Sequence, residues 1–416
     1  MLTVTQALER VHAVIPTMGT EQVPLADAFG RVLAVDVISE RDVPPWDNSA
    51  MDGYALIAAD TASGQAELKL LELIGAGDYP TQTVVRGAAS QIMTGAPMPQ
   101  GADAVVMVEK TNGASEGSVQ IHQLAAAGQN VRRRGADIAV GQTVLTAGMV
   151  LTPAQVGLIS SLGRPTVQVV RRPVVAILST GDEVVQPGIP LEPGQIYSSN
   201  NIALVGLVRA AGCVALDLGT AEDTLPAITK AISSAMDQAD VVVTTGGVSM
   251  GVFDYVRDAY ANLGADIDFW KVAMKPGKPL AYGIVQRDGR TIPLFGLPGN
   301  PVSCLVNFLQ FVRPVLAASQ RRPARFLPVI EAVATEPVTV RTGRAKLIRV
   351  VLERTDSGFA FCRTGTQSSG VLTSMARAHG LLLVGPDSTG VPEGQVGRVQ
   401  VIDASFLNGQ HPEYGW

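Results

Sequence analysis

Apolar runs that stop in polar, glycine-containing turns recur through the middle of the chain. Val241-Val242-Val243 ends at Thr244-Thr245-Gly246-Gly247, Val174 to Leu178 at Ser179-Thr180-Gly181-Asp182-Glu183, and Val214 to Leu218 at Gly219-Thr220-Ala221-Glu222-Asp223. Trp270 and Val272 lead into Met274-Lys275-Pro276-Gly277-Lys278-Pro279, and the stretch closes with Leu294-Phe295-Gly296-Leu297-Pro298-Gly299-Asn300-Pro301. Short Val/Ile-rich runs of this kind read as buried parallel strands, each turn delivering polar groups at the strand's carboxyl end. Helical spacing fills the gaps. Asn200 or Asn201 caps a helix to Ala211, Thr224 caps one to Gln238, a further helix covers Phe253 to Leu263, and Ser303 to Leu316 is apolar every three or four positions. The alternation predicts a doubly wound parallel sheet with ligands outside the strands' carboxyl ends.

The flanks have other periods. Val4, Ala7, Leu8, Val11, Val14 and Ile15 share one helix face, which Pro16 ends, and Pro24 to Leu33 reads as a second helix. From Leu68 to Thr143 short strands dominate, at Leu68 to Leu73, Ser90 to Met93, Ala104 to Glu109 and Val119 to His122. Thr152 to Leu162 reads as helix and Val167 to Val170 as strand; Arg171-Arg172-Pro173 marks a boundary. Beyond the linker Gln320 to Arg325, five further strand patterns predict a small β-barrel or sandwich.

At 416 residues the chain is too long for one core. With 32 basic against 37 acidic residues the net charge is -5, which argues against nucleic-acid binding. No stretch reads as a signal peptide or membrane span, which predicts a cytoplasmic protein. Cys213, Cys304 and Cys362 are far apart and odd in number, so buried reduced thiols are expected.

Polar residues concentrate in a few knots. Asp42, Asp47, Asn48, Ser49 and Asp52 crowd a segment stiffened by Pro44 and Pro45; a plain Pro-rich loop is the alternative. Arg132-Arg133-Arg134 beside Gly135 either grips an oxyanion or is solvated surface. The α/β turns carry Asp182, Glu183, Asp223 and Asp254, with Lys271, Lys275 and Lys278. Carboxylates converging in a crevice repel one another unless a cation sits among them. With four histidines and none in ligand spacing, oxygen ligands and Mg²⁺ are indicated over zinc. The lysines then face an anionic substrate.

Gly247-Val248-Ser249-Met250-Gly251 matches the G-x-S-x-G elbow of serine hydrolases. The only downstream histidines, His379 and His411, lie beyond the linker, so Ser249 lacks a base in its own domain. The Gly246-Gly247 pair more simply lets backbone N–H groups approach an anion.

DVPPWDNSAMDGYA, MTGAPMPQGADAVVM, NVRRRGADI, STGDE, GQIYSSN, TTGGVSMGVFDYV, WKVAMKPGKPLAYG and GLPGNPVS, in this order, resemble the bacterial MoeA family, the molybdopterin molybdenumtransferases, related also to the E domain of gephyrin. The resemblance implies a homodimer of four-part subunits. A discontinuous linker domain (1–38 and 142–170) carries an inserted β-rich domain (39–141), followed by a molybdopterin-binding-like α/β domain (171–319) and a C-terminal β-barrel (320–416). It implies insertion of molybdate into the dithiolene of adenylylated molybdopterin with Mg²⁺-dependent release of AMP. Carried over by position, Asp52, Asp137, Glu183, Asp223, Asp254, Lys271 and Lys275 act in catalysis, and Glu183, Asp223 and Asp254 hold the metal. Thr94, Gly246, Gly247, Ser249, Lys278, Pro298, Gly299 and Asn300 bind the pterin nucleotide. Partners implied are molybdopterin adenylyltransferase and molybdoenzyme maturation proteins, with no nucleic acid and no membrane. A non-catalytic pterin-binding scaffold is the competing function.

Overall fold

The computed structural model describes residues 1–246 and 255–408. At its centre six strands form one sheet in the order Val214–Ala221, Val174–Thr180, Val241–Thr245, Arg290–Leu297, Pro279–Arg287, Asp266–Lys271. The first four are mutually parallel. Pro279–Arg287 runs antiparallel to both its neighbours, so the sheet is mixed rather than wholly parallel. The hairpin made by Asp288-Gly289, both at positive φ, returns the chain directly and leaves no room for a crossover helix.

Alternation along the central strand explains the two helical layers. Val175 and Ile177 face a core shared with Leu204, Val205 and Val208 of the helix Asn200–Ala210. Ala176 and Leu178 face the opposite core, with Ile228 and Ile232 of Leu225–Gln238 and Val256 and Tyr260 of Tyr255–Asn262. Burying each such Val, Ile or Leu contributes roughly 1.5–3 kcal/mol, which fixes the strand's register and thereby its polar end. The expected helix at Phe253 to Leu263 is described from Tyr255, and the Asn200 helix takes Ser199 as its N-cap residue. Thr224 caps as expected, accepting from the Ala227 N–H at 3.4 Å.

The continuous helix Pro301–Ser319, with a π-helical turn at Phe308–Val312, is long and apolar enough to cross a membrane, but 83% of it is buried inside the protein. It is the core helix of the α/β unit. The N-terminal helix Val4–Ala13, closed by the reciprocal Thr3–Gln6 capping box, also packs Ala7 and Val11 into this core.

Pro24 to Leu33 is not the expected helix. Thr20–Pro24 is a strand paired with Thr166–Val170, Leu25–Asp27 is a single 3₁₀ turn, and Gly30 at φ +70 breaks the chain before Val32 and Leu33 bridge to Val150 and Val169. Cross-strand partners from distant sequence override the local period here. The 53–121 region forms a six-stranded sheet ordered Ala104–Met107, Gly53–Leu56, Ala88–Ile92, Ala66–Ile74, Ser118–Ile121, Thr111–Ser115; four of these overlap the predicted strands, whereas Gly53–Leu56 and Thr111–Ser115 were not predicted and Val108–Lys110 is a 3₁₀ turn.

At the C-terminal end five strands close a barrel: Ala345–Thr355, Gly358–Arg363, Val329–Ala334, Val396–Val401 and Gly380–Val384, which returns to Ala345–Thr355. The two-residue strand Met274–Lys275 of the α/β unit adds in parallel beside Ala345 and Lys346. This splice places Lys275 against the barrel. All three cysteines are unpaired, and Cys213 and Cys304 are buried, which pushes each thiol up to about 12.

Candidate active site

The strand ends build a cleft. Ser179, Thr180 and Glu183 after the first central strand, Thr245 and Gly246 after the next, and Gly299 and Asn300 after the hairpin line a cavity of ≈ 540 Å³. Asn200 ties the turns together, its amide donating to Thr245 Oγ1 and to the Gly299 carbonyl, both at 2.9 Å. Thr245 in turn donates to the Pro298 carbonyl at 3.2 Å. Gly246 sits at φ +95, where a Cβ would lie 2.5 Å from the Thr180 carbonyl oxygen. Gly246→Ala is expected to lower stability by roughly 1–3 kcal/mol from backbone strain alone. A thermal melt that did not move would show that this approach is not needed.

Beside the cleft the acidic turns converge. The Asp223 N–H donates to Asp182 Oδ1 at 3.0 Å. Partial burial and then the neighbouring Asp182 and Glu183 carboxylates raise the Asp223 pKa above its ordinary value. Negative charge is therefore in excess, the condition a divalent cation relieves. Among the described residues no three acidic, His or Cys side chains close a metal cage. Asp254, Gly247 and Ser249 lie outside the described residues, as does the helical start at Phe253.

A second cavity, of ≈ 600 Å³, lies where the α/β unit meets the barrel. Lys275 from the splice and Arg341, Arg344 and Lys346 from the barrel line it, and none has a carboxylate partner among the described residues. Burial, then Arg344 and Lys275, lower the Lys346 pKa, as crowded cations do. Arg349, also in the lining, is fully buried, which brings its pKa down to about 10. It donates to Ser374 Oγ at 3.0 Å and to the Thr366 and Ser368 carbonyls at 3.2 and 3.0 Å. It thereby holds the segment 365–372, which borders the basin through Gly365, Thr366 and Gln367 and the cleft through Gly370 and Leu372. Sequence reasoning missed this basin; its only signal was the basic spacing Arg341, Arg344, Lys346 at a strand start. Lys271 ends the edge strand and Lys278 is exposed near the splice.

In the β-rich unit the knots join into one ledge. Asp52 Oδ1 accepts from the Thr94 N–H at 2.7 Å and hydroxyl at 2.8 Å, and these bonds hold its carboxyl below the usual range. The Gly95 N–H donates to Ser49 O and the Asp137 N–H to Val43 O, drawing all three segments together. Of the arginine triplet, read as either an oxyanion grip or solvated surface, Arg133 pairs with Asp47 at 2.6 Å and Arg134 with Asp42 at 2.5 Å. Their charge goes into holding the ledge. No hydrogen bond links Asp52, Thr94 or Asp137 to Glu183 or Asp223 among the described residues. His379 is not a base for Ser249: its Nδ1 is bonded to the Leu352 backbone inside the barrel and its ring stacks on Phe406, while His411 lies outside the described residues.

A glycine-walled crevice at the carboxyl ends of a mixed sheet, with an acidic turn beside it and a cationic basin where the barrel meets the α/β unit, places this fold among the α/β proteins that bind ligands at strand ends. The chain matches the MoeA N-terminal region (domains I and II) over residues 2–163, a probable molybdopterin binding domain over 176–318 and the MoeA C-terminal region (domain IV) over 331–403. It is 40% identical to molybdopterin molybdenumtransferase 2 of Mycobacterium tuberculosis, covering 92% of this chain and 94% of that one. It is 35% identical to the molybdopterin molybdenumtransferase of Haemophilus influenzae, covering 96% and 98%. A crystal structure of the molybdopterin biosynthesis MoeA protein from Pyrococcus horikoshii superposes with a TM-score of 0.82 at 32% identity, over 96% of this chain and 99% of that one. The chain belongs to the MoeA family, the enzymes of molybdenum cofactor biosynthesis.

Proposed function

We propose that this enzyme inserts molybdate into the dithiolene of adenylylated molybdopterin and releases AMP in a Mg²⁺-dependent step. The observation that carries the reading is the separation of charge: four unpaired cations in one cavity, converging carboxylates beside the other, and one wall between them. Molybdate is a dianion and fits the basin, where Lys275, Arg341, Arg344 and Lys346 offset its charge. The pterin nucleotide fits the cleft, where Asn200 fixes the turns and Gly246 keeps the backbone within reach. Glu183 and Asp223 would hold Mg²⁺, which offsets phosphoanhydride charge and polarises the scissile bond.

The ledge of Asp52, Thr94 and Asp137 belongs to the same site, contributed by the two-fold mate of a homodimer. Asp52, Thr94 and Asp137 belong to the β-rich unit whereas Glu183 and Asp223 follow strands of the α/β unit, a division that supports the reading. The reaction is cytoplasmic. Molybdopterin adenylyltransferase supplies the substrate, and molybdoenzyme maturation proteins receive the product.

The test is to incubate the purified protein with adenylylated molybdopterin, molybdate and Mg²⁺ and to follow AMP. Release that does not depend on molybdate overturns the reading. Lys275→Ala is expected to raise the molybdate concentration for half-maximal rate by about tenfold, and Lys275→Arg by much less, with the gap narrowing as salt rises. Equal values for both variants would mark Lys275 as a solvated turn residue.

A further inference from the structure

Two hydroxyls in the cleft have no hydrogen-bond partner among the described residues. Thr180 and Ser198 are 4% and 6% exposed, and their side-chain oxygens are buried without a hydrogen bond. Buried polar side-chain atoms are mostly bonded, and an orphan weakens the free protein. The neighbours show that the cleft can satisfy such groups. Ser179 bonds to the Gly219 carbonyl at 3.2 Å and to Thr220 at 2.8 Å, and Asn200 and Thr245 bond as described above. Within the cleft lining the two unpartnered hydroxyls come from adjacent segments, since Val184–Val185 after the STGDE turn pairs with Ile196–Tyr197 of the GQIYSSN segment and the Ser198 N–H donates to the Val185 carbonyl at 2.8 Å.

The lining also says what would complete them. Among the described residues it contains one carboxylate, Glu183, and no Lys, Arg or His, whereas basic side chains line the other cavity. A bare phosphate facing these two hydroxyls would meet Glu183 with no cation in the lining to offset it. An uncharged edge carrying both N–H donors and carbonyl or ring-nitrogen acceptors suits hydroxyls, which can give and take.

We propose that Thr180 and Ser198 are specificity-determining residues that hydrogen-bond the donor–acceptor edge of the substrate's fused nitrogen heterocycle within the cleft. The proposal rests on the reading of the substrate as a pterin nucleotide. That substrate carries two such rings, the pterin and the adenine.

Thr180→Val keeps the shape and removes the hydroxyl, Ser198→Ala removes the other, and Thr180→Ser is the conservative control. Each would be melted without ligand, titrated calorimetrically with 6-hydroxymethylpterin and with AMP, and assayed for AMP release. Thr180→Val and Ser198→Ala are expected to melt at or above the wild-type temperature, because an orphan is gone, and to bind one ring about tenfold more weakly. KM should rise by the same factor with kcat within about twofold, and Thr180→Ser should behave as wild type. A loss confined to 6-hydroxymethylpterin places the pterin ring against the hydroxyls, and a loss confined to AMP places the adenine there. A lower melting temperature or unchanged ring binding overturns the proposal, since the hydroxyls would then serve the fold. Wild-type protein that binds neither probe yet releases AMP overturns it while the transferase reading stands. Wild-type protein that binds a ring but releases no AMP overturns the transferase reading instead.

Discussion

Glu183→Gln is expected to cut AMP release by at least two decades while leaving the melting temperature close to wild type. The amide has nearly the carboxylate's shape, and no hydrogen bond from another group holds the Glu183 side chain among the described residues, so the fold loses little. What is lost is charge. Partial burial and then Asp182 and Glu183 already raise the Asp223 pKa, so the turn carries the excess of negative charge that the proposed cation would relieve. Removing one of the proposed anionic ligands would weaken a hard divalent ion's hold and shift the Mg²⁺ titration to higher concentration. Undiminished turnover by the variant in the presence of a chelator would sink the metal assignment.

The second large effect concerns assembly. Asp52→Ala and Glu183→Gln proteins, each inactive alone, are expected to regain activity when mixed and allowed to exchange subunits. In the proposed dimer each site takes its ledge from one subunit and its cleft from the other. A mixed dimer then has one site bearing both lesions and one bearing neither. At equal mixing about half the dimers are mixed and half their sites intact, so recovery approaches roughly one quarter of wild type. Verified exchange without recovery would place both residue sets within one chain.

Much of this was legible in the sequence because buried parallel strands announce themselves. Val174 to Leu178 and Val241 to Val243 are apolar on both faces, and both lie at the centre of the sheet with glycine turns at their carboxyl ends. The same logic located Glu183, Asp223 and Gly246. It failed where long-range partners decide. Thr20–Pro24 is a strand only because Thr166–Val170 lies beside it, and no local period reports that. Arg133 and Arg134 read as either an anion grip or solvated surface, and neither alternative reports that Asp47 and Asp42, some ninety positions earlier, pair with them. The basin escaped because its walls come from two domains spliced by Met274–Lys275 and Ala345–Lys346. Asp52 and Thr94, 42 residues apart, were each flagged by their motifs, but only the fold shows them bonded.

The pairing of the linker's two halves also governs how the polypeptide acquires its shape. Thr20 meets Val170, and Ile38 meets Thr143, so the intervening β-rich unit leaves and re-enters through adjacent strands. On a chain emerging from the ribosome, the first linker strand has no mate until the second is made. Each doubling of an unstructured loop adds about 0.6 kcal/mol to the cost of closing it. A β-rich unit that has already folded brings its own ends together and shortens the effective loop to a few residues. The insertion is thus placed as a clasp fastened from inside: an inner unit that folds on its own would lower the cost of closing the outer pairing around it.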